Sequence, residues 1–343
     1  MAHSQFFDEL ADQPRTLRRL IADYSSPAGR SRLAAVPTSL PPLLLGMGAS
    51  YHAALVAVDH LRQRGFPAQA CEATEALWGP ADLLRQARHV IYISQSGASA
   101  EVAPVLQRLP PGAHVTALTN DEASPLARRA NLVLPLLASD EQTVATKTFA
   151  NSLAALWLLG QHLTGGLNPA DFAALENLAD RLAALVEQAP GVGQFWSERL
   201  AAANAYAVIG AGRQAITARH AAMILMEWLK VPAVSASVGA FRHGPVEITQ
   251  AGLGVVVFAA AGPAYASTGR LAAELEGYGA QVLVVEAGHA RLPAEPAPAV
   301  DPLDPGLATI LNVVPVQIFA EALARQRWPS PGFRHIHKVV TVS

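Results

Sequence analysis

The sequence predicts an α/β protein built from two tandem copies of one module. Short β-branched or leucine-rich runs alternate with helical patterns from Leu43 onward, which implies parallel sheets covered by helices on both faces. The order strand, glycine turn, helix, further strands, long helix occurs twice, first from Leu43 and again from Ala205. The chain has 343 residues, of which 51% are hydrophobic and 15% charged, enough for two ordinary cores.

Composition excludes several classes. The formal net charge of −2 leaves no basic excess to recruit nucleic acid. The single Cys71 rules out an intramolecular disulfide framework and fits a reducing compartment. Residues 1–25 carry charges throughout and lack the apolar centre of a signal peptide, and Gly, Pro or charge interrupts the apolar stretches before a bilayer span. The expectation is a cytoplasmic protein with no membrane partner.

In chain order, Phe6 to Tyr24 has Leu10, Leu17, Leu20 and Ile21 at helical spacing and reads as a lead-in helix. A Ser/Pro/Gly-containing segment, 25–42, comes next. The first module then follows as strand Leu43–Met47, turn Gly48-Ala49-Ser50, helix 51–62, and strands at 69–73, 90–93, 114–119 and 132–137. A long helix over 143–163 closes it. Residues 169–203 read as a bridging pair of helices. The second module is strand 205–209, turn Gly210-Ala211-Gly212, helix 214–229, strands 254–260 and 281–286 around a helix at 267–278, and a closing helix at 307–327. A proline-rich loop occupies 293–305, and Val339–Val342 reads as a terminal strand. The expected boundaries are a lead-in at 1–30, a first domain at 31–165, a connector at 166–203, a second domain at 204–328 and a tail at 329–343.

The chemistry concentrates in Val90–Glu101. An apolar strand, Val90-Ile91-Tyr92-Ile93, gives way to Ser94-Gln95-Ser96-Gly97-Ala98-Ser99 and then to helix-forming sequence. Unpaired backbone N–H groups at a helix start, a favourable dipole and serine hydroxyls suit an anion. No Lys follows the glycine, so a nucleoside triphosphate loop is not indicated, and a sugar phosphate fits better. Plain helix capping by Ser96 or Ser99 explains the same residues, and the loop alone does not decide. In parallel sheets, ligands sit at the carboxyl ends of strands, where this loop and Gly48-Ala49-Ser50 both fall. Gly210-x-Gly212 lacks the third glycine and the downstream acid of a dinucleotide site, and no cofactor is expected.

Several ordered motifs resemble one family. Gly48-Ala49-Ser50-Tyr51-His52-Ala53 is similar to the GTSYHA turn of sugar isomerase (SIS) domains, and Ser94-Gln95-Ser96-Gly97 to their SQSG phosphate loop. Thr146-Lys147-Thr148-Phe149 resembles their TK-x-F helix start, and Phe241-Arg242-His243-Gly244-Pro245 their HGP loop. Lys338-Val339-Val340-Thr341-Val342 looks like the closing tail of the isomerase unit in glucosamine-6-phosphate synthases. The resemblance covers nearly the whole chain and implies two tandem SIS domains, each a parallel sheet flanked by helices in a flavodoxin-like α/β/α sandwich.

The resemblance also implies roles. Gly48, Ala49, Ser50, Ser94, Gln95, Ser96, Ser99 and Ala145 would hold the phosphosugar. Glu227 aligns with the enolisation base, and its apolar neighbours would raise its pKa by desolvation. His243 aligns with the ring-opening acid/base that reaches across from a neighbouring subunit, which implies a homodimer with the active site at the subunit interface. Lys338 aligns with the tail lysine that approaches the open-chain carbonyl. No glutaminase domain with its cysteine is expected ahead of the first module. The implied activity is that of a phosphosugar isomerase or deaminase acting on an amino-sugar 6-phosphate, with a fructosamine-phosphate deglycase, an aldose–ketose isomerase or a non-catalytic sensor as alternatives. This chain departs from the synthase at Ile224, where a lysine is usual, at Ala98, where an acid is usual, and at Phe333-Arg334-His335-Ile336, where PRNL is usual. His335 and His337 beside Lys338 lack paired-ligand spacing, so no metal is expected.

Overall fold

In a computed structural model, residues 4–79, 82–299 and 303–336 are described, and they form two compact units. The first lobe comprises Asp12–Ala179 together with His335 and Ile336; the second comprises Asp180–Arg334 together with the residues up to Ala11. Lys338, His337 and the expected Val339–Val342 strand lie outside the described residues.

Helix α1 (Gln5–Ala11) belongs to the second lobe. The first lobe opens with α2 (Gln13–Ser25) and α3 (Pro27–Ala34). It continues through β1 (Leu43–Gly46), α4 (Ala49–Gln63), β2 (Gln69–Glu72), α5 (Ala73–Trp78) and α6 (Asp82–Gln86). After these come β3 (His89–Ile93), α7 (Val102–Arg108), β4 (His114–Thr119), α8 (Pro125–Arg129), β5 (Leu132–Pro135) and α9 (Lys147–Thr164). The five strands are parallel in the order β2-β1-β3-β4-β5. β1 and β3 are buried at every position, which explains why they read as continuous apolar runs rather than alternating ones. Leu43, Leu45, Val90, Tyr92 and Ala117 pack against Ala76 of α5, Leu84 of α6, Val102 and Val105 of α7 and Leu126 of α8. The opposite face is covered by α4, on which α9 packs, with α2 against α9.

α3 lies within the Ser/Pro/Gly-containing segment 25–42. Ser26 accepts a hydrogen bond from Gly29 N at 3.1 Å and Pro27 sits in the first turn, so the Ser-Pro-Gly residues start a helix here. A Cβ at Gly29 would lie 2.1 Å from Asp23 O, so the tight α2–α3 corner requires glycine.

Helix α10 (Pro169–Glu187) starts in the first lobe and ends in the second. The second lobe then runs α11 (Ala189–Leu200), β6 (Ala205–Gly210), α12 (Arg213–Ile224), a π-helical turn (Leu225–Leu229), β7 (Ala233–Ser237) and α13 (Val238–Arg242). A 3₁₀ turn (Pro245–Ile248), β8 (Leu253–Phe258), α14 (Tyr265–Gly277), β9 (Gln281–Glu286), β10 (His289–Arg291) and α15 (Pro305–Arg327) complete it. Its sheet order is β10-β9-β8-β6-β7, the same 2-1-3-4-5 winding as the first. Here the expectation of a wholly parallel sheet is corrected, because β10 is antiparallel to β9. Only Ala287 and Gly288, at φ 51° and 86°, connect them, and so short a turn with both φ positive can make only a hairpin. Ala207, Ile209, Val255, Val257, Val282 and Val284 pack against Phe241 of α13 and Leu271 and Leu275 of α14, while α12 and α15 pack together on the other side. By length and composition α15 could cross a membrane, but 89% of its apolar window is buried in the fold, as in a core helix.

Candidate functional site

The strand order of the first lobe reverses between β1 and β3, which pair side by side with Leu43 opposite Val90 and Leu45 opposite Tyr92. At such a switch point the loops after two adjacent parallel strands diverge and leave a crevice beyond their carboxyl ends. The loops that border it here are Met47–Ser50 and Ser94–Ser99, so the fold brings together the two serine-bearing segments singled out in the sequence.

Each loop has a steric reason for its shape. Gly46 ends β1 where a Cβ would lie 2.8 Å from the Ser50 carbonyl carbon, so the helix α4 turns directly over the strand end. Gly48 takes φ 50° and ψ −122° immediately before α4, a region open in practice to glycine. Ala49 and the half-buried Ser50 then form the first turn of α4. Gly97 has φ +58°, and a Cβ there would lie 2.1 Å from Ser124 Oγ. Its carbonyl accepts from Leu126 N at 2.9 Å, and its N–H donates to Ser94 Oγ at 3.2 Å. Ser96 Oγ accepts from Ala98 N at 3.2 Å. The Gln95 carbonyl is fixed by Asn120 N at 3.0 Å and Thr119 Oγ1 at 3.2 Å, leaving the Gln95 side chain half-buried beside the crevice. The loop turns over residues 94–99 and α7 begins only at Val102, so the serines precede the helix rather than cap it.

The segment Thr143–Thr146, expected to be helical, is not. Glu141 is buried, and its Oε1 accepts from Thr146 N at 2.8 Å, Thr146 Oγ1 at 2.9 Å and Thr148 N at 3.3 Å. A carboxylate that takes the orphan donors of the first turn fixes where α9 starts. It also leaves Ala145 half-buried in a bend ahead of the helix. Lys147, buried at that helix start, pairs with Asp12 Oδ2 at 3.3 Å. Burial pushes the Asp12 carboxyl up, but hydrogen bonds from Arg15 and Lys147 outweigh it and hold the carboxyl below its ordinary range. Sequence reasoning missed Glu141; an acid five residues before a Thr-Lys helix start is a faint signal.

In the second lobe, Glu227 sits in the π turn that extends α12. It is half-buried, with Leu225, Trp228 and Leu229 buried and Met226 exposed around it. The apolar enclosure expected from the sequence is therefore partial. Lys230 ends the turn in the left-handed conformation, φ 52°, and its ammonium donates to the Glu227 carbonyl. Burial and the Arg334 charge lower the Lys230 pKa, with Glu227 acting in the opposite sense. His243 follows α13 and is exposed, with Gly244 at φ 129° turning the chain into the 3₁₀ turn. Neighbouring Arg242 pairs with Glu274 at 2.5 Å. Among the described residues no three His, Cys, Asp or Glu side chains gather as a metal cluster.

The second lobe repeats the glycine turn without the serine-bearing loops. Gly212 adopts φ 56° and ψ −127°, nearly the angles of Gly48, and a Cβ at Gly210 would lie 2.2 Å from Gln214 O. Gln214, where the first lobe has Ser50, accepts from Asn312 Nδ2 at 3.0 Å, and Asn312 in turn accepts from Gly288 N at 2.9 Å. The loop after β8 reads Ala259-Ala260-Ala261-Gly262-Pro263, with no hydroxyl.

Residues 43–161 match the SIS domain family. Over 97% of this chain, the sequence is 29% identical to a glutamine–fructose-6-phosphate aminotransferase of Pyrococcus horikoshii. The matched region is 57% of that protein, so the chain spans little more than half the length of the curated relatives it matches. The fold is similar to that of a tagatose-6-phosphate ketose/aldose isomerase from Escherichia coli, with TM-score 0.80, 20% identity, and coverage of 97% of this chain and 96% of the other. It is also similar to a glucosamine-6-phosphate deaminase from Thermotoga maritima, with TM-score 0.76, 23% identity, and coverage of 98% and 99%.

Proposed function

We propose that this chain, a member of the SIS domain family, is a cytoplasmic phosphosugar isomerase/deaminase that converts an amino-sugar 6-phosphate, such as glucosamine 6-phosphate, to a ketose 6-phosphate and ammonia. The observation that carries the reading is the pair of serine-bearing loops bordering the β1/β3 switch point, whose hydroxyl and main-chain donors suit a phosphate ester. Ser50, Ser94, Gln95, Ser96 and Ser99 hold the phosphate, with Gly48, Ala49 and Ala145 offering main-chain groups to the sugar. His243 assists ring opening. Glu227 removes the C2 proton of the open-chain aldehyde and returns it at C1, giving a C2 imine. Water adds to that imine and ammonia leaves, so one water is consumed for each ammonia released. Lys338, outside the described residues, approaches the carbonyl in this scheme. The exposed position of His243 supports its reaching the site of a second subunit, and hence a homodimer.

The test mixes purified protein with glucosamine 6-phosphate and follows ammonia and fructose 6-phosphate together. A panel of fructosamine 6-phosphate, tagatose 6-phosphate and other phosphosugars run alongside separates deamination from deglycation and simple isomerisation. Absence of every phosphoketose product across the panel would remove the enzyme reading and leave a phosphosugar sensor. Turnover per chain that persists unchanged on dilution to a monomer would remove the shared site.

A further inference from the structure

The π turn that carries Glu227 buries Leu225, Trp228 and Leu229, and of these Trp228 makes a side-chain hydrogen bond to the closing helix. Its Nε1–H donates to Glu321 Oε2 at 2.9 Å, from the second-last turn of α15. The other Glu321 oxygen accepts from the Ser4 hydroxyl. Glu321 is only 3% exposed, and burial raises its carboxyl pKa against the two donors and the Arg325 charge. The indole itself is surrounded: Phe6 of α1 lies 4.7 Å away between ring centroids, Phe333 stands edge-on at 6.3 Å, and the Lys230 ammonium is 5.5 Å from the ring centre. The N-terminal residues, the closing helix and the chain entering the tail therefore all converge on the residue next to Glu227.

A buried carboxylate is costly, and its retention here is explained if its bonds hold something in place. Packing could have been met by a leucine at 321 and a phenylalanine at 228. A π turn also has poorer hydrogen bonding than the α-helix it interrupts, and a side-chain tether fixes what the backbone leaves loose. We infer that Glu321 is a positioning residue for the proposed reaction: through its bond to the Trp228 indole it fixes the π turn and so the direction in which Glu227 is presented. The inference rests on Glu227 as the enolisation base.

The test compares Trp228→Phe, which keeps the ring and removes the donor, with Glu321→Leu, which removes the acceptor, and Glu321→Gln, which keeps one. Misdirecting a general base is expected to lower kcat by about tenfold or more with KM within about twofold. Trp228→Phe and Glu321→Leu should show this fall together with a moved acid limb of the kcat/KM pH profile, and the double variant should fall no further than the worse single. Glu321→Gln should stay within about threefold of the parent. Amide exchange of residues 225–230 should quicken in the first two variants and not in the third. Should Glu321→Leu fail to fold, Trp228→Phe carries the comparison. If the parent turns over no phosphosugar, the proposed function fails on its own, and the exchange experiment alone then decides whether Glu321 holds the turn. Parental kcat, pH limb and exchange rates in Trp228→Phe would overturn the inference.

Discussion

The two lobes share a winding order and a glycine turn, yet only one has serine-bearing loops at its switch point. In the first lobe the loop after the third strand is Ser94-Gln95-Ser96-Gly97, and Gly97 threads between Ser124 and Thr119. In the second the equivalent loop is three alanines, and the Ser50 position has become Gln214, hydrogen-bonded into Asn312. Both copies share the winding order and the glycine turn, whereas the serine and glutamine side chains proposed to meet the phosphate occur in the first only. The second lobe instead interrupts its first helix with a π turn at Glu227, and the first-lobe counterpart α4 runs through without one. Under the proposed function, binding and proton transfer would fall to different copies of one fold.

The sharpest way to break this division is Glu227→Gln. Loss of a general base is expected to lower kcat by about 10²- to 10⁴-fold while phosphosugar affinity stays near the parent value. Steady-state rates together with calorimetric binding check it, and an equal loss of affinity would mean that Glu227 belongs to the grip rather than the chemistry.

A second test is steric. Gly97→Ala would force a Cβ to 2.1 Å from Ser124 Oγ at φ +58°. A cost of about 2–4 kcal/mol in stability and a parallel loss of phosphosugar affinity are expected. Gly212→Ala, at φ +56° and ψ −127° with open space around it, should cost about 1–3 kcal/mol in stability, from backbone strain alone, and leave phosphosugar affinity unchanged. Chemical denaturation of the two variants separates close approach from conformation.

Acid should affect the lobes in opposite directions. His89 is fully buried, and burial lowers its pKa to about 4 against a carbonyl contact from Leu40, with His114 5.4 Å away between ring centroids. The unfolded chain binds that proton near the ordinary value of 6.5, so the stability contributed by neutral His89 is present above about pH 6.5 and is lost as pH falls toward 4. The loss amounts to about 3 kcal/mol over that window. Glu321 in the second lobe has a raised pKa, so its burial penalty is relieved as the carboxyl protonates. Melting followed from pH 7 to 4 should therefore show a destabilisation that His89→Gln flattens and Glu321→Gln does not. The smallest expected effect is Ala261→Ser, which restores a hydroxyl to the second loop without its geometry: stability within about 0.5 kcal/mol and no added phosphate affinity.

Much of this was legible in the sequence because the relevant signals are local. The buried strands β1, β3, β6 and β8 announce themselves as apolar runs, and the glycines at 48, 97 and 212 mark turns that other residues resist. What was not legible depends on partners far along the chain. β7, Ala-Val-Ser-Ala-Ser, is a sheet-edge strand with no apolar run, and β10 exists only because a two-residue turn folds it back. α3 hid among residues that usually make loops. Glu141 looked like any acid until its three donors from the start of α9 were seen, and Glu321, 93 residues from Trp228, gave no sign at all. The residues proposed to grip the phosphate were singled out by motif, and those that hold the motif in place were not.

The account turns on the claim that the first-lobe serines grip the charged end of the ligand while the second lobe acts on the sugar. Titration calorimetry of fructose 6-phosphate against the Ser94, Ser96 and Ser99 triple alanine variant tests it most directly. The account predicts that binding falls by at least about 10²-fold, since each charge-assisted hydrogen bond is worth about 1.5–3 kcal/mol, with the folded state intact. Parental affinity in that variant would contradict it.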